Sequence, residues 1–190
     1  MIALRIGFAA LLLLSFTGCA TLVAPLSGEP MDREHGERTF GSVIEDQAIE
    51  TKIRVNLKRA GEPLASQRIV VVSFNGQVLL AGQVASDAMK KQAAEVAGKI
   101  RRVVALHNEL VVSGKVSFLA RMNDAWLTTK VKTRLAFAGD ARASRTKVVT
   151  ENGVVYLLGL MTRREADAVV AQVQKSYGVQ KIVKIIEYID

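Results

Sequence analysis

The chain has 190 residues, with 26 lysines and arginines against 18 acids and a single cysteine. One cysteine excludes an intrachain disulfide, so stability must come from packed apolar cores, and the length suits one domain or two small ones. The net charge of +8 points to a polyanionic partner, either nucleic acid or an anionic membrane.

The chain opens with Met1 and Arg5, an apolar run from Ile6 to Phe16, and the small pair Thr17-Gly18 before Cys19. A charged start, an apolar stretch of about 7–15 residues and small residues at the cut mark a secretory signal. The run is shorter than the roughly 20 apolar residues that span a bilayer. Cleavage before a cysteine resembles bacterial lipoprotein signal peptides. That resemblance implies a signal over residues 1–18 and an acylated Cys19 as first mature residue, with Ala20 favouring the outer membrane. The alternative is an ordinary signal cut nearby, with Cys19 a bystander. An exported chain does not meet nucleic acid, so anionic lipid becomes the leading polyanion.

Residues 20–42 hold Pro25 and Pro30, several glycines and alternating charges from Asp32 to Arg38, with no sustained apolar period. The stretch 19–43 reads as the lipidated cysteine and a flexible tether.

Beyond it the chain repeats. Asp46-Gln47-Ala48-Ile49-Glu50-Thr51-Lys52-Ile53 returns, 78 residues on, as Asp124-Ala125-Trp126-Leu127-Thr128-Thr129-Lys130-Val131. Asn75-Gly76 through Gly82 returns, 77 residues on, as Asn152-Gly153 through Gly159. The two copies span 44–112 and 122–190, with 113–121 a linker or short extra helix. Ile49, Ile53 and Leu57, like Leu127, Val131 and Leu135, give the apolar stripe of an opening helix. Strands are expected over 68–74 and 77–84, and again over 146–150 and 154–161. Each pair is joined by Asn-Gly, the preferred centre of a type I′ hairpin. A second helix follows, capped by Ser86 in copy one and by the Thr162–Glu165 capping box in copy two. Its expected stripes are Met89, Ala93, Val96, Ile100 and Ala166, Val170, Val173, Tyr177. Closing strands are expected over 103–112 and 181–189. The order αββαβ, twice over, is an α+β sandwich with helices on one face of each small sheet.

This duplicated unit, with these glycines, resembles the BON domain, a periplasmic module of bacteria. Leader, tether and two copies together are similar to the double-BON outer-membrane lipoproteins. The nearest stretches are Asn123 through Val131, and Thr150-Glu151-Asn152-Gly153 through Ala166. The resemblance implies a non-enzymatic protein on the periplasmic face of the outer membrane. It also implies that the first helix of the second BON domain binds anionic phospholipid, phosphatidylglycerol or cardiolipin. A role in envelope integrity, at sites of cell division, comes with it.

The residues point to the same helix independently. Trp126, Lys130, Thr133 and Phe137 share a face about 125° from the core stripe, flanked by Arg134. Tryptophan beside cations suits the headgroup boundary. Copy one has Ala48, Lys52, Val55 and Arg59 at the equivalent positions, so the aromatics are not part of a shared core. The competing reading packs Trp126 and Phe137 against the other copy or under residues 116–120. A second functional class is a protein-interaction or holdase module of the stressed periplasm, with envelope proteins as partners. His35 and His107 have no ligand cluster around them, so no metal or cofactor is expected. Asp124, Glu151, Glu165 and Asp167 read as caps, turns and solvated faces. Lys90-Lys91 and Arg101-Arg102 read as solvated surface that adds to membrane attraction.

Overall fold

The computed structural model describes residues 38–114, 116–138 and 145–190. The leader 1–18, Cys19, His35 and the tether up to residue 37 lie outside the described residues. Domain one comprises α1 (Phe40–Arg59), a 3-10 turn (Leu64–Ser66), β1 (Arg68–Phe74), β2 (Gln77–Val84), α2 (Asp87–Gly98) and β3 (Ala105–Val112). Domain two repeats it with α3 (Phe118–Phe137), β4 (Thr146–Glu151), β5 (Val154–Met161), α4 (Arg163–Gln174) and β6 (Lys181–Tyr188).

Both opening helices begin earlier than the apolar period announces. Thr39 accepts from the Ser42 amide and Ser117 from the Ala120 amide, so each hydroxyl caps a helix whose first turn lies before the core stripe. Residues 40–43 are therefore helix rather than tether, and 118–121 are the first turn of α3 rather than a separate element.

The hairpins form as the Asn-Gly pairs dictate. Asn75 and Gly76 sit at φ 50° and 75°, and Asn152 and Gly153 at 51° and 73°. Each turn is also tied to its opening helix by a buried aspartate. Asp46 accepts from the amides of Asn75 (2.8 Å) and Gly76 (2.9 Å), and Asp124 from those of Asn152 (2.7 Å) and Gly153 (2.9 Å). Helix and turn are thereby fixed to one another before any apolar contact is counted.

In each domain the hairpin pairs antiparallel and the closing strand joins β2 or β5 in parallel, leaving the second strand central. One face of each sheet packs on its two helices. Ile53, Leu80 and Val84 lie in that core of domain one, and Val131, Leu157 and Val173 in that of domain two. The other faces pack on each other, burying Val72, Phe74, Leu79 and Ala81 against Tyr156, Leu158 and Ile185. The molecule is thus layered helices, sheet, sheet, helices, with the helical layers on opposite outer faces. Burying each large aliphatic side chain in these layers contributes about 1.5–3 kcal/mol.

Polar groups at the edge of the sheet-to-sheet layer are paired across it. Lys147 Nζ donates to Glu50 Oε1 (2.7 Å) and to the Ser73 carbonyl (3.2 Å). Arg68 Nη1 and Gln83 Nε2 both donate to Glu151 Oε1, at 3.1 and 3.0 Å. Glu151, grouped by the sequence with the acids of caps, turns and solvated faces, is buried among these donors.

The expected stripe of the second helix of copy two is corrected at two points. Helix α4 ends at Gln174, so Tyr177 is not on its buried stripe; it stands on the following turn, 87% exposed. Val169, absent from the expected stripe, is fully buried, and Val170 packs half-buried against the same core. The strand registers locate the cause. The offset between copies is 77 at the second strands but 76 from the caps Ser86 and Thr162 onward, and Ala105 and Lys181, which pair with Gln77 and Val154, keep it at 76. Ser176 is then the counterpart of Ile100, and Tyr177 the counterpart of Arg101.

Candidate functional site

Helix α3 buries Leu127, Val131 and Leu135 against sheet two and turns its remaining surface outward. Trp126 is 58% exposed and Phe137 87% exposed, so neither packs against domain one, whose contact with domain two is made by the sheets. The reading that buries these rings between the copies or under residues 116–120 is corrected by that exposure. Trp126, Lys130, Thr133, Arg134 and Phe137 line one shallow groove of about 570 Å³, closed on its far side by Gln172 of α4.

Lys130 is the centre of this surface. Its ammonium lies 4.8 Å from the Trp126 ring centroid and 5.7 Å from that of Tyr177, and donates to the Tyr177 carbonyl at 3.3 Å. Such cation–π contacts are worth about 0.5–1 kcal/mol at exposed sites. Their effect here is to hold the lysine between two rings instead of leaving it free to sample solvent. Arg134 is half-buried at the groove wall, and Thr133 is exposed at its rim.

The apolar surface extends further than the sequence suggested. Phe118, Leu119 and Met122, in the part of α3 that precedes the core stripe, are all exposed. Tyr177 joins from the turn before β6. The signal for the first three was Ser117, a cap placed before an apolar pair. Nothing in the local pattern marked Tyr177. Large apolar side chains grouped in this way on one face mark a contact surface rather than scattered surface hydrophobes.

The chemistry available is that of an amphipathic contact: exposed rings that can enter an apolar boundary, with cations beside them. Among the described residues no group of three or more His, Cys, Asp or Glu is placed to hold a metal ion. Among the same residues no helix is long and apolar enough to cross a membrane.

The family model of the BON domain matches residues 45–114 and 123–190. The outer membrane lipoprotein DolP of Haemophilus influenzae is 39% identical over 153 residues, covering 80% of this chain and 79% of that protein. A 21 kDa hemolysin of Actinobacillus pleuropneumoniae is 31% identical over 164 residues, covering 83% of this chain and 84% of the other. Among solved structures, the C-terminal domain of CdsD, a structural protein of the Type III secretion system of Chlamydia trachomatis, matches with a TM-score of 0.30. It is 16% identical and covers 76% of this chain and 67% of that one.

Proposed function

The chain belongs to the BON-domain family, as a double-BON protein similar to DolP, and on that footing we propose that domain two docks it on anionic phospholipid. The protein is an outer-membrane lipoprotein of the envelope, in keeping with that relationship. The proposed anchor is Cys19, and the proposed docking residues are Trp126, Lys130, Thr133, Arg134 and Phe137, together with Tyr177, whose exposure beside Lys130 supports including it.

The observation that carries the reading is one-sided exposure. Domain two presents Trp126, Phe137 and Tyr177 around Lys130, whereas domain one has Ala48, Arg59 and Arg101 at the matching positions. An aromatic ring at the headgroup boundary contributes apolar burial while its polar edge stays hydrated. Each basic residue near an anionic surface contributes on the order of 1 kcal/mol. Acyl chains on Cys19 would already hold the chain at a membrane, so the domain would choose lipid and location. A place at division sites, and the support of envelope integrity there, belongs to the same proposal.

The test uses residues 38–190, which contain all three apolar layers, and vesicles sedimented with and without phosphatidylglycerol. Binding should be saturable on vesicles containing phosphatidylglycerol and weak on neutral phosphatidylcholine. Equal binding to both would contradict lipid selectivity.

A further inference from the structure

Domain one has a groove that meets the equivalent of the docking surface only at Ala48 and Lys52, the counterparts of Trp126 and Lys130, and its chemistry differs. It lies between α1 and the α2–β3 turn, encloses about 590 Å³, and is lined by Ile44, Ala48, Lys52, Arg101 and Arg102 together with Glu45. Ala48 stands where domain two carries Trp126, so a methyl group replaces the indole at that position. Arg101 stands where domain two has Tyr177, so an exposed ring gives way to a guanidinium group. Arg102 is paired with Glu45, while Lys52 and Arg101 have no ion-pair partner among the described residues. Ile44 adds an exposed aliphatic side chain at the rim.

The backbone adds an independent observation. Arg102 holds φ 75°, and its counterpart by strand register, Gly178, holds 101°. A side chain in the left-handed region costs about 1–2 kcal/mol, which glycine avoids. Domain one thus places an arginine where domain two has the unstrained residue, and strain of this kind concentrates at binding sites.

We propose that this groove seats an acidic peptide segment carrying aliphatic residues, supplied by a protein partner on the side of the molecule away from the bilayer. Arginine forks match carboxylates bidentately, and an aliphatic residue beside them would meet Ile44 and Ala48. Membrane is disfavoured as the occupant by the layering. The two helical layers are on opposite faces, roughly 30 Å apart at about 10 Å per layer, while charge is screened over about 8 Å at physiological salt. With domain two on the lipid, domain one's groove lies beyond the reach of that surface charge. This orientation argument rests on the proposed docking of domain two; the groove, its charges and the backbone of Arg102 do not.

The experiment uses the full chain in a neutral maltoside detergent and a fluorescein-labelled peptide repeating Glu-Glu-Leu, read by fluorescence anisotropy. Binding should saturate, fall about tenfold or more in Arg101→Glu and in Lys52→Glu, and persist in Trp126→Glu. A peptide repeating Lys-Lys-Leu should not bind. Circular dichroism checks that each variant is folded, which is expected because both altered side chains are exposed. Absence of saturable binding, undiminished affinity in Arg101→Glu, or loss in Trp126→Glu instead would overturn the proposal. So would displacement of the peptide by phosphatidylglycerol added to the micelles, which would make the groove a lipid site. Vesicle binding by domain two is measured separately, so either reading can fail without the other.

Discussion

Asp124 shows how much one side chain can hold in this fold. Its carboxylate is buried and accepts from both amides at the centre of the β4–β5 hairpin. Asp124→Ala leaves those donors without an acceptor, at about 1–3 kcal/mol each before relaxation. A loss of about 3 kcal/mol is expected, read as a lower urea midpoint with an unchanged slope. The sequence placed Asp124 only among the acids of caps, turns and solvated faces; the signal for its turn contact was the twin Asp46, 29 residues before its Asn-Gly pair where Asp124 stands 28 before its own. Trp126 and Phe137 were legible because their twins Ala48 and Arg59 differ. Tyr177 was hidden because a single residue missing between the second strand and the second helix of copy two assigned it to the wrong counterpart. Lys130, held between Trp126 and Tyr177, gives a salt-dependent prediction. Lys130→Glu should weaken vesicle binding, and by a larger factor at 0.01 M salt, where the Debye length is about 30 Å.

At the scale of elements, the hairpins and second helices were readable and the starts of the first helices were not. Asn-Gly pairs and capping residues encode their geometry locally, whereas α1 and α3 carry apolar residues on their outer faces as well. Phe40 and Ile44, like Phe118 and Met122, break the amphipathic pattern that would have announced those turns. Strand β2 supplies a prediction of its own. Gly82 sits at φ 118°, and a Cβ there would lie 2.3 Å from the Arg68 carbonyl oxygen of the paired strand. Gly82→Ala should cost about 3 kcal/mol or more, combining left-handed strain with a backbone clash. Its twin Gly159 has no such φ, and the nearest atom to an added Cβ is the flexible Met161 Cε at 2.4 Å. Gly159→Ala should therefore be milder, and paired urea titrations compare the two directly.

For the whole molecule, the contact between sheets decides which surfaces remain free. It was only partly legible: β2 runs Val78-Leu79-Leu80-Ala81 without alternation, the pattern of a strand covered on both faces. Which sheet covers it follows from pairing two copies, and no single copy encodes that. Tyr156, buried in this layer, makes the contact sensitive to alkali. Burial, then the carboxylates of Glu109 and Glu151, push its hydroxyl up to about 12. The unfolded chain loses this proton near pH 10 while the native state keeps it, so stability falls as pH rises from about 10 to 12. Below pH 10 the contribution is constant. Relative to Tyr156→Phe, the parent chain should lose roughly 2–3 kcal/mol across that window, measured by urea unfolding at matched pH.

The division of labour between the domains is tested most directly by a pair of substitutions at one structural position. Trp126→Glu and Ala48→Glu each place a carboxylate on the outer face of an opening helix, in domain two and domain one. Sedimentation with phosphatidylglycerol vesicles should show affinity falling about tenfold or more, a change of about 1.4 kcal/mol or above, for Trp126→Glu. Ala48→Glu should leave binding nearly unchanged, with circular dichroism showing both variants folded. Equal damage from the two would contradict the assignment of lipid docking to domain two.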